Sequence, residues 1–393
     1  MHRGYDIVLF GATGYTGTLT AEYLAEYAPR ELRWALAGRN TEKLAATRDE
    51  LARIDPDRPT PDLLWADVDD GPSIRALAAT ARVVISTVGP YTDHGEPLVA
   101  ACAAEGTDYV DLCGEPAFVD RMYVRHHATA QRTGARLVHA CGFESIPYDL
   151  GVLFTVMRLP EGVPLHVEGF VRARGTASGG TLHSAVGAFA EPLAMVRAAR
   201  ERRALEDRPE GRRVRIDRSG LPRTRLARGW TLPIPSLDPQ VVARSAATLE
   251  RYGPEFSYGH YGAFRWPTSA VGSVAGATGV MAAAQVPALR KLLLSLRSPG
   301  EGPSEEQLAQ GWFTVHFVGS GGGRRVHTLV SGGEPGYAAT SGMLAESALC
   351  LWRDALPETS GQVTTAVAMG EALIERLSRA GVEFQLLRAF EDA

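Results

Sequence analysis

The sequence predicts an α/β protein: a doubly wound parallel sheet followed by a second, α+β domain with a mostly antiparallel sheet. Three observations predict it. The apolar run Ile7-Val8-Leu9-Phe10 leads through a glycine-rich turn into Ala21, Leu24, Ala25 and Ala28, an i, i+3, i+4, i+7 helical stripe. Further apolar runs alternate with helical segments as far as residue 145. Beyond residue 150 the alternation gives way to strands that read as a hairpin.

The turn is Gly11-Ala12-Thr13-Gly14-Tyr15-Thr16-Gly17. Strand, glycine turn and helix are the context of a dinucleotide fingerprint, here spaced G-x-x-G-x-x-G, a variant of the commoner G-x-G-x-x-G. Glycines allow a tight turn and let backbone N–H groups approach a pyrophosphate at the helix N-terminus. All seven residues are therefore candidate cofactor-binding positions in a Rossmann-type domain. The competing reading is a glycine turn without a ligand.

The remaining elements of this domain follow in order. Leu32 to Ala37 reads as the second strand, followed by a helix with Leu44 and Leu51 on its apolar face. Leu63-Leu64-Trp65 is the third strand, and Asp70 with Pro72 starts the next helix as a cap followed by a first-turn proline. Val83-Val84-Ile85, Tyr109-Val110-Asp111-Leu112 and Leu137-Val138-His139-Ala140 complete the sheet.

The second strand ends in Ala37-Gly38-Arg39-Asn40, with Lys43 one turn further on. An NAD site usually places Asp or Glu here for the ribose 2′-hydroxyl. Arg39 and Lys43 instead suit a 2′-phosphate, so the expected cofactor is NADP(H), with Arg39, Asn40 and Lys43 among its contacts. The alternative is that Arg39 merely faces solvent. Asp67, after the third strand, is placed to accept from the adenine amino group. The fourth strand ends in Ser86-Thr87-Val88-Gly89-Pro90-Tyr91. Ligands bind at the carboxyl ends of such strands, which sets Thr87, Val88, Gly89 and Pro90 beside the ribose and nicotinamide. Tyr91 is a candidate hydrogen-bond or proton donor; the alternative is a tyrosine packing at a domain edge.

Two more loops share this end of the sheet, Cys113-Gly114-Glu115-Pro116 and Cys141 to Asp149. Ser145 reads as a cap for the helix that Pro147 opens, and Asp149 favours its positive end. Cys113 and Cys141 read as buried fillers. No Ser/His/Asp or metal-ligand spacing competes for the site, so no metal is expected.

Composition narrows the class. There are 41 Lys and Arg against 45 Asp and Glu, a formal charge of −4, which argues against nucleic-acid binding. Cys102, Cys113, Cys141 and Cys350 have no C-x-x-C spacing and suit free thiols in a reducing compartment. The first strand begins within a few residues of the N-terminus, so no signal peptide and a cytoplasmic location are expected. From Trp266 to Leu289 there is no charge. The run is rich in small residues and interrupted by Pro287, so a buried helix or loop-helix is expected rather than a membrane span. Peripheral membrane contact stays open.

In the second domain, His166 to Arg172 reads as a strand, and Thr314–Val318 with Arg325–Val330 as a hairpin around Gly319-Ser320-Gly321-Gly322-Gly323. Gly175 to Thr181 is either a loop lining the cleft or a plain hinge. Arg197 to Arg228 holds 12 arginines against five acids, and Pro233 to Tyr261 is rich in proline and aromatics. Both read as long loops with short elements. Thr340 to Trp352 and Thr364 to Leu377 read as helices.

The ordered set Gly11–Gly17, Ala37-Gly38-Arg39, Val88-Gly89-Pro90-Tyr91, Gly106-Thr107-Asp108-Tyr109-Val110-Asp111 and Cys141-Gly142-Phe143-Glu144-Ser145-Ile146-Pro147 resembles the saccharopine dehydrogenase-like oxidoreductases. Within them it is most similar to the trans-acting enoyl reductases of polyketide and complex-lipid assembly. Gly179-Gly180-Thr181 and Gly336 to Ser347 extend the likeness. Glu144, Tyr148 and Gly342 depart from the family's usual Asp, Ser and Lys; these departures bear on the substrate, not on the cofactor.

The resemblance implies that the C-terminal part packs back onto the first domain. The expected organisation is therefore 1–145 completed by helices in 335–393, with 146–334 as a substrate or oligomerisation domain. It also implies NADPH-dependent reduction of an enoyl thioester. Reduction of an imine or ketone and a non-catalytic, NADP-binding or lipid-associated scaffold are the alternatives. The implied substrate is a small-molecule or carrier-bound acyl group. An acyl carrier or polyketide synthase is then a partner that the basic 197–228 segment would steer, and a homodimer is a further expected assembly.

Overall fold

The structure, a computed structural model, describes residues 3–175, 192–207, 209–217, 230–234, 236–295 and 303–391. The first six strands are β1 (Tyr5–Phe10), β2 (Trp34–Gly38), β3 (Asp62–Trp65), β4 (Ala81–Ser86), β5 (Asp108–Asp111) and β6 (Arg136–Val138). The next six are β7 (Leu165–Arg174), β8 (Arg213–Asp217), β9 (Trp230–Pro233), β10 (Glu255–Phe264), β11 (Trp312–Gly321) and β12 (Arg324–Gly332). The chain closes with β13 (Gly361–Val363) and β14 (Glu383–Glu391).

The first sheet runs β13-β6-β5-β4-β1-β2-β3 and every pairing in it is parallel. Its central strands are apolar on both faces because helices cover both sides, and β2 is buried along its whole length. Side-chain caps start its helices as the residue types dictate. Asn40 accepts from Lys43 N at 2.9 Å to open Thr41–Leu51, and Asp70 accepts from Ser73 N at 2.9 Å to open Gly71–Thr80. The strand order reverses between β1 and β4, the switch point at which such sheets bind nucleotides.

The second sheet runs β14-β12-β11-β7-β10-β8, with β9 on β10. Four of its pairings are antiparallel; β7/β10 and β10/β8 are parallel. It is thus a mixed sheet with an antiparallel majority.

The helix Ile146–Val156 joins the two sheets, and all its residues are buried. Residues of β1, β4, this helix, β7, β11, β12 and the helix Ala338–Arg353 share one apolar core. Asp149 sits inside that core without exposure. It is not left to the helix dipole, as the sequence suggests. It accepts from Ser245 Oγ at 2.5 Å, Thr365 Oγ1 at 2.7 Å and Ala366 N at 2.8 Å, so one carboxylate ties three segments together. Ser145 does not cap this helix either; its hydroxyl donates back to Ala140 O at 2.9 Å.

Four further features depart from the sequence reading. β13 is a short strand missed within the C-terminal return, and it extends the parallel sheet beside β6. β14 leaves the nucleotide domain and pairs with β12, because Phe384 packs on Phe154 at 5.6 Å over the second sheet's own helix. The segments expected to be long loops contain the helix Pro192–Leu205, β8 and the ten-residue β10. The uncharged run forms the helix Pro267–Ala284, and its described side chains are mostly exposed, not buried. Among the described residues no helix is long and apolar enough to cross a membrane.

The arginine-rich segment also divides. Arg202 is buried, with Nε donating to Asp120 Oδ1 at 2.6 Å. Arg212 donates to the carbonyls of Ala246, Leu249 and Gly253 at 2.7–3.0 Å, closing the helix Asp238–Thr248. Arg213 and Arg215 are exposed and lie 3.8 and 3.7 Å from Glu255. Arg208, Arg218, Arg223, Arg225 and Arg228 fall outside the described residues, as do residues 176–181 of the glycine loop.

Asp149→Ala should destabilise the fold by roughly 2–4 kcal/mol, because it strands two hydroxyls and an N–H in the core. Urea unfolding checks it; a loss within 0.5 kcal/mol, the range of ordinary surface substitutions, would show that the three donors find other acceptors.

Candidate active site

The turn after β1 uses its glycines for different reasons. Gly11 has φ +91°, where a side chain is strained, and a Cβ on it would come within 2.7 Å of Thr87 Oγ1 and Val88 Cγ2. A Cβ on Gly17 would sit 2.1 Å from the Gly11 carbonyl oxygen, so only glycine lets the helix Tyr15–Tyr27 lean on the turn. Around Gly14 no atom lies closer than 3.5 Å to that position, which leaves the approach to the helix end open. Gly14 caps the helix without any side-chain acceptor. Its first N–H groups and the positive end of the dipole are available to an anion.

Thr87 braces this turn. Its N–H donates to Phe10 O at 3.0 Å and its hydroxyl to Gly11 O at 3.1 Å. Ala12 is fully buried beneath the turn, while Thr13 and Thr16 stay half-exposed. Tyr15 points its hydroxyl to Pro303 O at 3.0 Å and sets its ring edge-on to Tyr337 at 4.8 Å, so it links the turn to the returning chain.

Beyond β2, Arg39 and Lys43 are both exposed and make no ion pair or side-chain hydrogen bond among the described residues. Asn40 lies between them with its carbonyl oxygen engaged as the helix cap. Asp67 is half-buried and accepts from Asp69 N at 3.1 Å. Val88, Gly89 and Pro90 follow β4 past the turn, and the Gly89–Pro90 peptide is cis.

Tyr91 is placed differently from the expectation of a proton donor. It is buried; its hydroxyl donates to Ser86 O at 3.0 Å and accepts from Leu112 N at 3.1 Å. Its own N–H and that of Thr92 donate to Glu115 at 2.9 and 2.8 Å. Burial, then the charge of Asp111, raises the phenol well above its ordinary value. Tyr91 therefore fastens the ends of β4 and β5, and its hydroxyl has no proton to spare.

Beside it, Asp111 accepts from Cys113 N at 2.9 Å, Ala140 N at 3.0 Å and lies 2.7 Å from His139 Nδ1. These contacts hold the loops after β5 and β6 together. Cys113 and Cys141 are fully buried with raised thiol pKa values, as inert fillers are.

The groups that sequence reasoning missed sit above these loops. Glu144 Oε2 is enclosed and has no hydrogen-bond partner. From the second domain, Asp238 opens the helix Asp238–Thr248 and carries an enclosed, unpartnered Oδ1. His260 on β10 lies 3.5 Å from Asp238 Oδ2 and sets its ring edge-on to Tyr148 at 4.8 Å. Phe143 packs on Tyr148 at 5.6 Å and on Phe313 at 5.0 Å. The only signal in the sequence was Glu144 replacing an aspartate; Asp238 and His260 lie in the stretch taken for loop.

Known proteins resemble this chain. Residues 7–138 match the saccharopine dehydrogenase NADP-binding domain. The trans-acting enoyl reductase of Mycobacterium leprae is 36% identical over 415 residues, covering 97% of both chains. That of Mycobacterium bovis is 35% identical over 414 residues with the same coverage. A Mycobacterium tuberculosis chain that carries the name provisionally is 37% identical over 430 residues, covering 98% of each. This chain belongs to the saccharopine dehydrogenase-like oxidoreductases, beside the trans-acting enoyl reductases.

The fold agrees: yeast saccharopine dehydrogenase (L-Glu forming) superposes with a TM-score of 0.54 at 11% identity, covering 98% of this chain and all of that one. As a member of this family the protein is an NADP-dependent oxidoreductase. The residues fit the cofactor. The open helix end would take the pyrophosphate, and Arg39 and Lys43 after β2 would suit a 2′-phosphate. Of the three departures from the family pattern, Glu144 and Tyr148 lie near one another after β6, whereas Gly342 faces the ring of Tyr23.

Arg39→Ala should weaken NADPH binding roughly ten- to a hundred-fold and leave NADH nearly unchanged. Cofactor-fluorescence titration measures both, and equal losses would make Arg39 a structural residue.

Proposed function

We propose that this oxidoreductase reduces the carbon–carbon double bond of an α,β-unsaturated thioester in polyketide or lipid biosynthesis. One observation carries the choice. Among the described residues no arginine or lysine acts on Glu144, Asp238, Tyr148 or His260. An imine formed from an amino acid brings a carboxylate, which needs a cation to hold it. A thioester is neutral and asks for an apolar wall, which Phe143, half-buried and backed by Tyr148 and Phe313, would supply. The names of the mycobacterial relatives point the same way.

Bound NADPH supplies the hydride. The chain's own part begins with the turn, which fixes the pyrophosphate, and with Arg39 and Lys43, which hold the 2′-phosphate. Asp111 and Tyr91 then keep the loops after β4, β5 and β6 in register. The aromatic wall excludes water from the reacting carbons, which strengthens every polar contact there.

A carrier-borne acyl group and an acyl carrier or polyketide synthase partner belong to this reading. Arg202 and Arg212 are engaged inside the fold, so steering by this segment would fall to exposed residues such as Arg213 and Arg215. A homodimer and peripheral membrane contact are compatible with it. A cytoplasmic location goes with four buried, unpaired cysteines.

Steady-state NADPH oxidation with matched 2-enoyl thioesters, imines and ketones tests the reading. Turnover should be confined to the enoyl thioesters and yield the saturated thioester by mass spectrometry. Preferred turnover of an imine or ketone would overturn it, and binding without any turnover would favour the scaffold.

A further inference from the structure

Two carboxyl oxygens, one from each domain, are enclosed near the same site with nothing to bond. Glu144 stands on the loop after β6. Its Cγ lies 3.5 Å from where a Gly114 Cβ would be, and its Oε2 only 2.5 Å from where a Gly142 Cβ would be. The side chain thus rests on the loop after β5, at the end of the sheet where the nicotinamide half of the cofactor belongs. Part of the residue still reaches solvent.

Asp238 comes from the other side. Leu237 and Val241, on either side of it, share a buried apolar cluster with Tyr91, Cys113, Phe118 and Ala140, which places the helix start against the same loops. Asp238 Oδ2 accepts from Ser236 Oγ at 2.5 Å and faces His260 Nε2; Oδ1 has no partner. His260 Nδ1 in turn lies 3.0 Å from the Tyr258 hydroxyl. Orphaned buried polar atoms are rare in folded proteins and point to a catalytic or ligand-facing role. Orphaned atoms also occur away from this pair; His139 Nε2, for one, belongs to a ring packed edge-on against Tyr109 and Phe118 and is held within the core.

We propose that Glu144 is the acid that protonates the α carbon of the substrate, and that Asp238, neutral across from it, is the group that returns its proton. The inference rests on the enoyl-thioester reading. Hydride addition at the β carbon moves the π pair onto the thioester carbonyl and leaves an enolate. The Glu144 O–H bond then breaks, a C–H bond forms at the α carbon, the carbonyl is restored, and Glu144 remains as a carboxylate. Transfer from Asp238 or solvent returns its proton, with solvent as the final source.

Electrostatics agree with the geometry. Burial, then the charge of Asp111, pushes Glu144 up to about 7. Burial, with Glu144 adding and Ser236 opposing, pushes Asp238 up to about 8. Burial pushes His260 down to about 4, so it is neutral beside a neutral Asp238 at pH 7. Asp111, Asp238, Tyr91, Tyr148, Cys113 and Cys141 are the titratable groups that act with Glu144. Tyr148, Tyr258, His260, Ser236 and Glu144 face Asp238. With only acids around it, a carboxyl stays protonated near neutral pH.

The test uses Glu144→Gln and Asp238→Asn in the full chain. In ligand-free protein carrying ¹³C-labelled carboxyls, one glutamate and one aspartate should titrate near neutral pH. Each signal should vanish in its own variant. With an α-methyl enoyl thioester in ²H₂O, the wild type should set deuterium on one face of the α carbon, with kcat falling as pH rises through about 7. Glu144→Gln should keep NADPH affinity, lose on the order of 10²-fold or more in kcat, and deuterate both faces. Asp238→Asn should retain facial selectivity and the pH at which kcat falls, while lowering kcat by slowing the return of the proton to Glu144. Unchanged rate and selectivity in Glu144→Gln, or no carboxyl titrating near neutrality, would overturn the inference while leaving the enoyl-reductase reading intact. A wild type inactive on every enoyl thioester would overturn both.

Discussion

The position of every other part follows from one buried carboxylate. Asp149 has no exposure and three donors, drawn from the helix Asp238–Thr248 and from the C-terminal return as well as being fixed by its own helix. An unsatisfied carboxylate at that depth would cost several kcal/mol. The three segments therefore hold one relative placement, the one in which all three donors reach it. That placement aligns the two sheets across the buried helix Ile146–Val156. It also fixes the loop immediately before that helix, and hence where Glu144 points.

With that frame fixed, the polar groups divide into two kinds. Tyr91, Asp111, Glu115 and Arg212 are saturated and hold backbone to backbone. The open end of the helix Tyr15–Tyr27, the side chains of Arg39 and Lys43, Glu144 Oε2 and Asp238 Oδ1 are left unsatisfied. In a folded protein the first kind contributes stability and the second kind costs it. A proton-donating role fits Glu144 better than Tyr91, because a hydroxyl whose donor and acceptor capacity are both used inside the protein has to break the fold to react.

How much of this could be read from the chain depends on what burial does to residue type. The parallel strands were legible because a strand covered on both faces must be apolar throughout, and Ile7–Phe10 or Val83–Ile85 cannot be much else. The cofactor turn was legible because its glycines answer to backbone contacts rather than to packing choices. β13 was not, since three residues carry no period; β14 was not, since an edge strand alternates polar and apolar residues as a helix end does. Arginines masked the order in 192–217, because charge reads as solvent exposure, whereas Arg202 and Arg212 are charges spent on Asp120 and on helix carbonyls. Tyr91 was singled out by chemical type and position; only its partners show that the phenol is structural.

The same reasoning bears on why the site is built from two domains. An enolate intermediate needs a neutral acid close to its α carbon at a pH where an ordinary carboxyl is ionised. A carboxyl on a loop of the parallel sheet alone, open to water, would keep its ordinary value. Glu144 escapes it because burial, then the charge of Asp111, pushes it up to about 7. A cation there would have served an amino-acid substrate by holding its carboxylate, and it would also have driven Glu144 to ionise. Among the described residues no arginine or lysine acts on these groups, which agrees with the proposed neutral acyl substrate.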